Sequence, residues 1–221
     1  MESEILFQDK HILLCAKPAG VPSQPDPSGQ EDQLSSLQKE DPAIRLIHRL
    51  DTPTGGVMVF AKTPEAAAKL SAAVQDHSVF QKEYLAVLPA PPSAPEGELR
   101  DYLFHDKRAN KSFVTENSRK GSKEAILTYR VLATLPDGHT LVLVRLHTGR
   151  THQIRIQFAS RGLPLAGDGK YGSREKCPNI ALWAYRLTFP HPKTCTPVSA
   201  SSKPPASSRP WELFAETIQN M

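Results

Sequence analysis

Apolar residues along this chain gather into short runs with strand-like spacing, and only a few stretches repeat at helical intervals. Ile5 to Gln8 and His11 to Ala16 predict two strands broken at Asp9-Lys10, the second ending in Lys17-Pro18-Ala19-Gly20, a turn by composition. Pro22 to Gln30 reads as loop, and Glu31 to Lys39 as a short helix with Leu34 and Leu37 three apart. Val57 to Ala61 is a continuous apolar strand. Thr63-Pro64-Glu65 marks a helix start, with a capping hydroxyl, a first-turn proline and an acid near the positive helix end. Ala67, Leu70, Val74 and His77 then recur at helical spacing, and His77 reads as a capping or solvated side chain. Gln81 to Leu88 is a strand halted by the proline-rich stretch from Pro89 to Pro95. Lys107 to Lys123, basic and poor in apolar residues, predicts an exposed hairpin or flap, either a solvated loop or a finger that touches a polyanion. Lys123 to Leu135 and Thr140 to His147 predict two strands around Pro136-Asp137-Gly138. Thr151 to Arg161 is helical and stops at Gly162. Ala181 to Phe189 is a strand, Thr196 to Pro210 a loop, and Trp211 to Phe214 a last short segment. The sum is α+β, a mainly antiparallel mixed sheet with a few helices packed on it.

Composition narrows the class. At 221 residues, 39% apolar and 23% charged, the chain can bury a core and is expected as one domain. It contains no apolar run long enough to span a bilayer, and its start, Met1-Glu2-Ser3-Glu4, is acidic where a secretory signal needs positive charge. A cytoplasmic monomer is the expectation. Cys15, Cys177 and Cys195 match no paired metal or redox spacing. The net charge of +4 is mild, but between Arg145 and Lys176 the cations Arg145, Arg150, Arg155, Arg161, Lys170, Arg174 and Lys176 face only Asp168 and Glu175. That density predicts a phosphate-facing patch.

The candidate chemistry lies in spaced polar blocks. His48-Arg49-Leu50-Asp51-Thr52-Pro53-Thr54-Gly55-Gly56 is a tight turn that holds one acid beside the Val57 strand. Alone it is equally an ordinary surface loop with a solvated aspartate. Lys82-Glu83-Tyr84 follows, then Gly149-Arg150-Thr151-His152-Gln153-Ile154-Arg155, and finally Gly162 to Gly172 with Gly167-Asp168 and Tyr171-Gly172. In motif and order these four blocks resemble the RluA-type family of RNA pseudouridine synthases, from about Leu6 to Phe214.

The resemblance implies the pseudouridine synthase fold, a bent mixed sheet with a central active-site cleft. The catalytic pattern begins near residue 5, so the small RNA-binding domain that many relatives carry ahead of it is expected to be missing. It also implies isomerisation of uridine in ribosomal or transfer RNA with no cofactor; from the spacing of its histidines, no metal is expected either. Asp51 matches the family's catalytic aspartate, and a carboxylate suits that task because it is ionised at neutral pH when a cation supports it. Arg155 matches the arginine that pairs with that aspartate, with a guanidinium that keeps its proton and grips both oxygens. Tyr84, which alone would read as a core aromatic, matches the tyrosine that lies against the target base. Arg49 matches an arginine that helps displace the base, and Ile154 an apolar residue of the base pocket. For Arg150 and His152, phosphate contact and structural hydrogen bonding are equal alternatives. Two positions depart from the family pattern, Gly55 where serine is frequent and Thr52 where a charged residue is frequent.

Two other classes compete. A non-catalytic RNA-binding or ribosome-assembly protein on the same fold has no use for a sheltered acid at Asp51. An Asp/His hydrolase needs a water-activating partner that no spacing singles out. The pairs His48/Asp51 and His147/His152 hint at a metal, but the second spacing does not put both imidazoles on one helix face.

Overall fold

A computed structural model of the chain describes residues 4–117 and 119–221. In chain order its elements begin with β1 (Glu4–Gln8), β2 (Ile12–Lys17), α1 (Gln33–Gln38), β3 (Arg45–Leu46), β4 (Gly55–Ala61) and α2 (Pro64–Ala73). Then come β5 (Gln81–Leu88), β6 (Glu96–Asp106), β7 (Lys111–Thr115), β8 (Lys123–Thr134), β9 (Thr140–Leu146) and α3 (Gln153–Ala159). The chain ends with β10 (Leu182–Pro190), β11 (Pro197–Ser201) and α4 (Ala215–Gln219). These gather into two compact units, one running to Glu83 and resuming over Trp183–Pro204, the other comprising Tyr84–Leu182 and Pro205–Met221.

In the first unit the strand order is β1-β2-β4-β10, with β3 added to β4 and β11 to β10. All these pairings are antiparallel except β4 with β10, which is parallel. Strand β4 is buried at every position, so it needs apolar residues on both faces, and this is why Val57 to Ala61 shows no alternation. Helix α2 lays Ala66 and Leu70 on a core of Ile12, Leu14, Val57, Val59, Phe80, Leu187 and Phe189. Burying side chains such as Leu70 or Phe80 contributes about 2–3 kcal/mol each. The helix begins as the sequence predicts: Thr63 accepts the Ala66 amide at 3.1 Å and Pro64 fills the first turn.

In the second unit the order is β5-β9-β8-β6-β7. The β8–β9 hairpin closes where predicted, with the Leu135 amide bonded to the His139 carbonyl at 2.8 Å and Gly138 at φ 95°. Helix α3 packs Ile156 against Leu103, Ala125 and Tyr171. Its Gln157 amide nitrogen, wholly buried, donates toward the Leu99 and Ala125 carbonyls and Asp101, bolting the helix to β6 and β8. The helix stops at Gly162, φ 75°, where the Leu163 amide returns to the Phe158 carbonyl at 3.1 Å.

Three expectations are corrected. Strand β6 is absent from the sequence reading, because Asp101 interrupts the apolar face set by Leu99 and Leu103. The stretch after Thr196 is not all loop, since Pro197–Ser201 forms edge strand β11, where a proline at the first position costs no ladder bond. Helix α3 starts at Gln153 rather than Thr151, because His152 adopts the left-handed conformation, φ 56°. The Lys107 to Lys123 segment supplies the turn over 107–110 and strand β7, which pairs with the preceding β6 in a largely exposed hairpin; Ser118 within it lies outside the described residues. Thr63→Ala, which removes the α2 cap, is expected to lower unfolding free energy by about 1 kcal/mol in urea denaturation.

Candidate active site

The Asp51 loop in the first unit is pinned on each side of the acid. His48 is buried and its Nε2 accepts the Val59 amide of β4 at 3.2 Å. Burial, reinforced by the Lys82 charge, holds this imidazole well below its ordinary pKa, so it is neutral with its proton on Nδ1. Leu50 is clamped by Ser23, whose hydroxyl donates to the Leu50 carbonyl at 2.8 Å while accepting the Leu50 amide at 3.0 Å. The Thr54 amide closes a turn onto the Asp51 carbonyl at 2.9 Å, and the Gly20 amide takes the Thr52 carbonyl at 2.8 Å. Asp51 itself is half-buried and Arg49 exposed.

Beneath this loop lies Lys17, the last residue of β2, with no exposed surface. Its ammonium donates to the carbonyls of Pro18 at 2.9 Å and Thr52 at 3.3 Å, and also to that of Val21. Burial pulls its pKa down to about 7, against the Asp51 carboxylate, which favours the charged form. Sequence reasoning took Lys17 for a turn residue; its only signal was a lone cation at the end of an apolar strand. A second buried lysine, Lys82 in the Lys82-Glu83-Tyr84 block, sits 5.3 Å from the Phe80 ring centroid, and burial lowers it to about 8.

The paired glycines follow from packing against β10. A Cβ at Gly56, φ 117°, would collide with the Ala184 backbone, and one at Gly55 with the Trp183 ring. The absence of serine at position 55 thus goes with the indole that fills its space.

In the second unit Arg155 is 4% exposed and its Nε and Nη2 grip Asp168 side-on, at 2.7 and 2.8 Å. The Tyr171 ring lies 5.1 Å from the same guanidinium. The hydroxyl of Tyr171 accepts the Ser112 amide at 2.8 Å and bonds His152 Nδ1 at 2.9 Å. The Gly162 to Gly172 block, to which the sequence reading gave no role, is therefore the brace of Arg155. Gln153 holds the preceding loop, its Oε1 accepting from the Thr148 hydroxyl at 2.8 Å and the Arg150 amide at 2.9 Å.

The predicted residues thus fall into two groups. Arg49 and Asp51 lie in the first unit; Tyr84, Arg150, His152, Ile154 and Arg155 lie in the second. Tyr84 and Ile154 are buried. His152 engages Tyr171, and Arg150 is half-buried with its Nε on the Glu124 carbonyl at 2.8 Å. The expected phosphate patch is thinner than its sequence suggests, because Arg155 is buried and Arg161 is held by Asp101 at 2.9 Å.

Solved structures share this fold: the human RNA pseudouridylate synthase domain containing 4 superposes with a TM-score of 0.78 at 23% identity, over 98% of this chain and 93% of that one. The model of the RNA pseudouridylate synthase family matches residues 11–160, from β2 through α3. The chain belongs to that family. An uncharacterized RNA pseudouridine synthase of Bacillus subtilis, YhcT, is 33% identical across 94% of this chain and 70% of its own length. The dual-specificity RNA pseudouridine synthase RluA of Yersinia pestis is 31% identical across 88% of this chain and 95% of its own. Ribosomal large subunit pseudouridine synthase D of Pseudomonas aeruginosa is 37% identical, and there the match spans 57% of the longer protein. These relatives make the chain an RluA-type pseudouridine synthase.

Two outcomes follow for this synthase. Asp168→Asn removes the carboxylate that grips the buried Arg155 side-on and should destabilise the fold by about 3 kcal/mol in urea denaturation, whereas breaking the exposed Lys39–Glu31 pair should cause no comparable loss. For Lys17 the sign is set by its depressed pKa: the unfolded chain holds its proton up to the ordinary lysine value, so stability rises between about pH 7 and that value. The unfolding free energy of wild type minus that of Lys17→Met should therefore increase from pH 7 to pH 10; a flat difference would contradict the buried, weakly basic amine. Lys82 titrates in both proteins and cancels.

Proposed function

We propose that this chain isomerises specific uridines of structured RNA, ribosomal or transfer, with Asp51, Tyr84 and Arg155 as its catalytic residues. The reaction exchanges no atoms with a co-substrate: the bond from ribose C1′ to uracil N1 breaks, the base turns, and C1′ joins C5, whose proton leaves while N1 gains one. Asp51 is assigned as the anionic group that opens the glycosidic bond. Arg155 is assigned as the fixed cation that keeps that carboxylate ionised when water is excluded, and Tyr84 as the ring against the target base. Arg49, Ile154, Arg150 and His152 complete the substrate-binding set. We assign the chain as one catalytic domain, a monomer of the cytoplasm, working without metal or cofactor.

The observation that carries this reading is that the family match runs over residues 11–160 and so takes in Asp51, Tyr84 and Arg155 together. The rigid seat of each charge supports it. An acid clamped through its neighbours and an arginine gripped side-on cost little reorganisation at the moment of reaction. No helix among the described residues is long and apolar enough to cross a membrane.

Mapping pseudouridines in total RNA from cells with and without the gene tests the assignment. One or a few positions should revert to uridine when it is deleted. An unchanged map, with RNA still bound by the purified protein, would favour the non-catalytic alternative. Once a substrate is mapped, Arg155→Ala should lose both turnover and about 3–5 kcal/mol of stability, because Asp168 is left buried and unpaired. Arg155→Lys, which restores charge but not the fork, should fall between Ala and wild type in both, and equal turnover of the three proteins would remove Arg155 from the mechanism.

A further inference from the structure

The hairpin of β6 and β7 carries an aromatic and cationic face that the active-site reading does not use. Side chains alternate across these strands: Leu103 and Ser112 point to α3 and Tyr171, so Phe104 and Phe113, directly opposite in register, lie on the other face. Phe113 is 40% exposed, and β7 is the terminal strand of its unit. The Arg119 guanidinium stands 3.9 Å from the Phe104 centroid, and the Lys111 amine, at the strand end, lies 5.8 Å from that of Phe113 and 5.5 Å from that of Tyr171. From Lys107 to Lys120 the sequence has Lys107, Arg108, Lys111, Arg119 and Lys120 against one acid, Glu116, while Lys123, paired with Leu103, falls on the α3 face. Lysines alone would serve to guard an exposed edge strand against pairing with another chain. They do not account for an exposed phenylalanine at the centre of the patch.

We propose that this face is a second RNA-binding surface, on which Phe113 stacks an unpaired base of the substrate RNA while the hairpin cations take the adjoining phosphates. Exposed aromatics interleaved with cations fit single-stranded nucleic acid, since every base offers a stacking face and every nucleotide a charge. The proposal rests on the chain acting on RNA and adds where single-stranded segments beside the target are held.

The test is binding of a fluorescein-labelled twelve-nucleotide oligouridylate to the full chain, read by anisotropy across a salt series. It is run beside single-turnover isomerisation of a mapped substrate extrapolated to saturating enzyme. Phe113→Ala should weaken binding about tenfold, and Phe113→Trp should restore it. Lys107→Glu with Arg108→Glu should flatten the salt slope by about 1.4, or about 0.7 for each lost phosphate contact. The isomerisation rate at saturation should be unchanged in all three. The surface is refuted if the oligonucleotide does not bind wild type, if Phe113→Ala binds like wild type, or if Phe113→Ala abolishes only self-association. A wild type that binds the oligonucleotide through Phe113 but isomerises nothing would keep the surface and overturn the reaction.

Discussion

Arg155 and Asp168 form an ion pair withdrawn from water, with side chains 5% and 1% exposed. Such a pair is poor evidence of stability, because desolvating two charges costs about as much as their attraction returns. What it supplies is orientation. Two of the three guanidinium nitrogens are committed to one carboxylate, the Tyr171 ring lies close by, and α3 is bolted to the sheet by Gln157. The direction of the positive charge is thereby set before substrate arrives.

The acid proposed as catalytic sits on an equally constrained loop. Asp51 is held through its neighbours: His48 bonds β4, Leu50 is clamped by Ser23, and the carbonyls of Asp51 and Thr52 each have an amide partner. Lys17 adds a cation whose charge is sensitive to neutral pH because it is buried, and Asp51 opposes that loss. The glycines at 55 and 56 are demanded by Trp183 and Ala184 on β10, which leave no room for side chains. The position of Asp51, the acid proposed as catalytic, and the packing of the sheet are thus the same constraint, and substitutions at Gly55, Gly56 or Trp183 are expected to act on the acid through its loop.

Much of this was legible in the sequence. The α2 start at Thr63, the hairpin at Gly138 and the wholly buried β4 follow from local signals, and the ordered polar blocks point to the family that the relatives confirm. What escaped had no local signal. Strand β6 hid because Asp101 occupies a core-facing position, where Gln157 and Arg161 use it. Asp168 read as one acid in a basic stretch, and only tertiary contact shows it gripping Arg155. Lys17 likewise looked like the start of a turn, since a buried lysine differs from an exposed one only in what folds over it. The phosphate patch was overcounted for the same reason, as linear charge density does not tell a solvated arginine from one already spent on a carboxylate.

The central claim is that Asp51 performs the chemistry on a scaffold that exists without it. The most direct measurement is single-turnover isomerisation of a mapped substrate RNA by Asp51→Asn with enzyme in excess, beside its RNA affinity and its melting curve. The account predicts wild-type binding and folding with no conversion above background. Measurable conversion by the asparagine protein would contradict it.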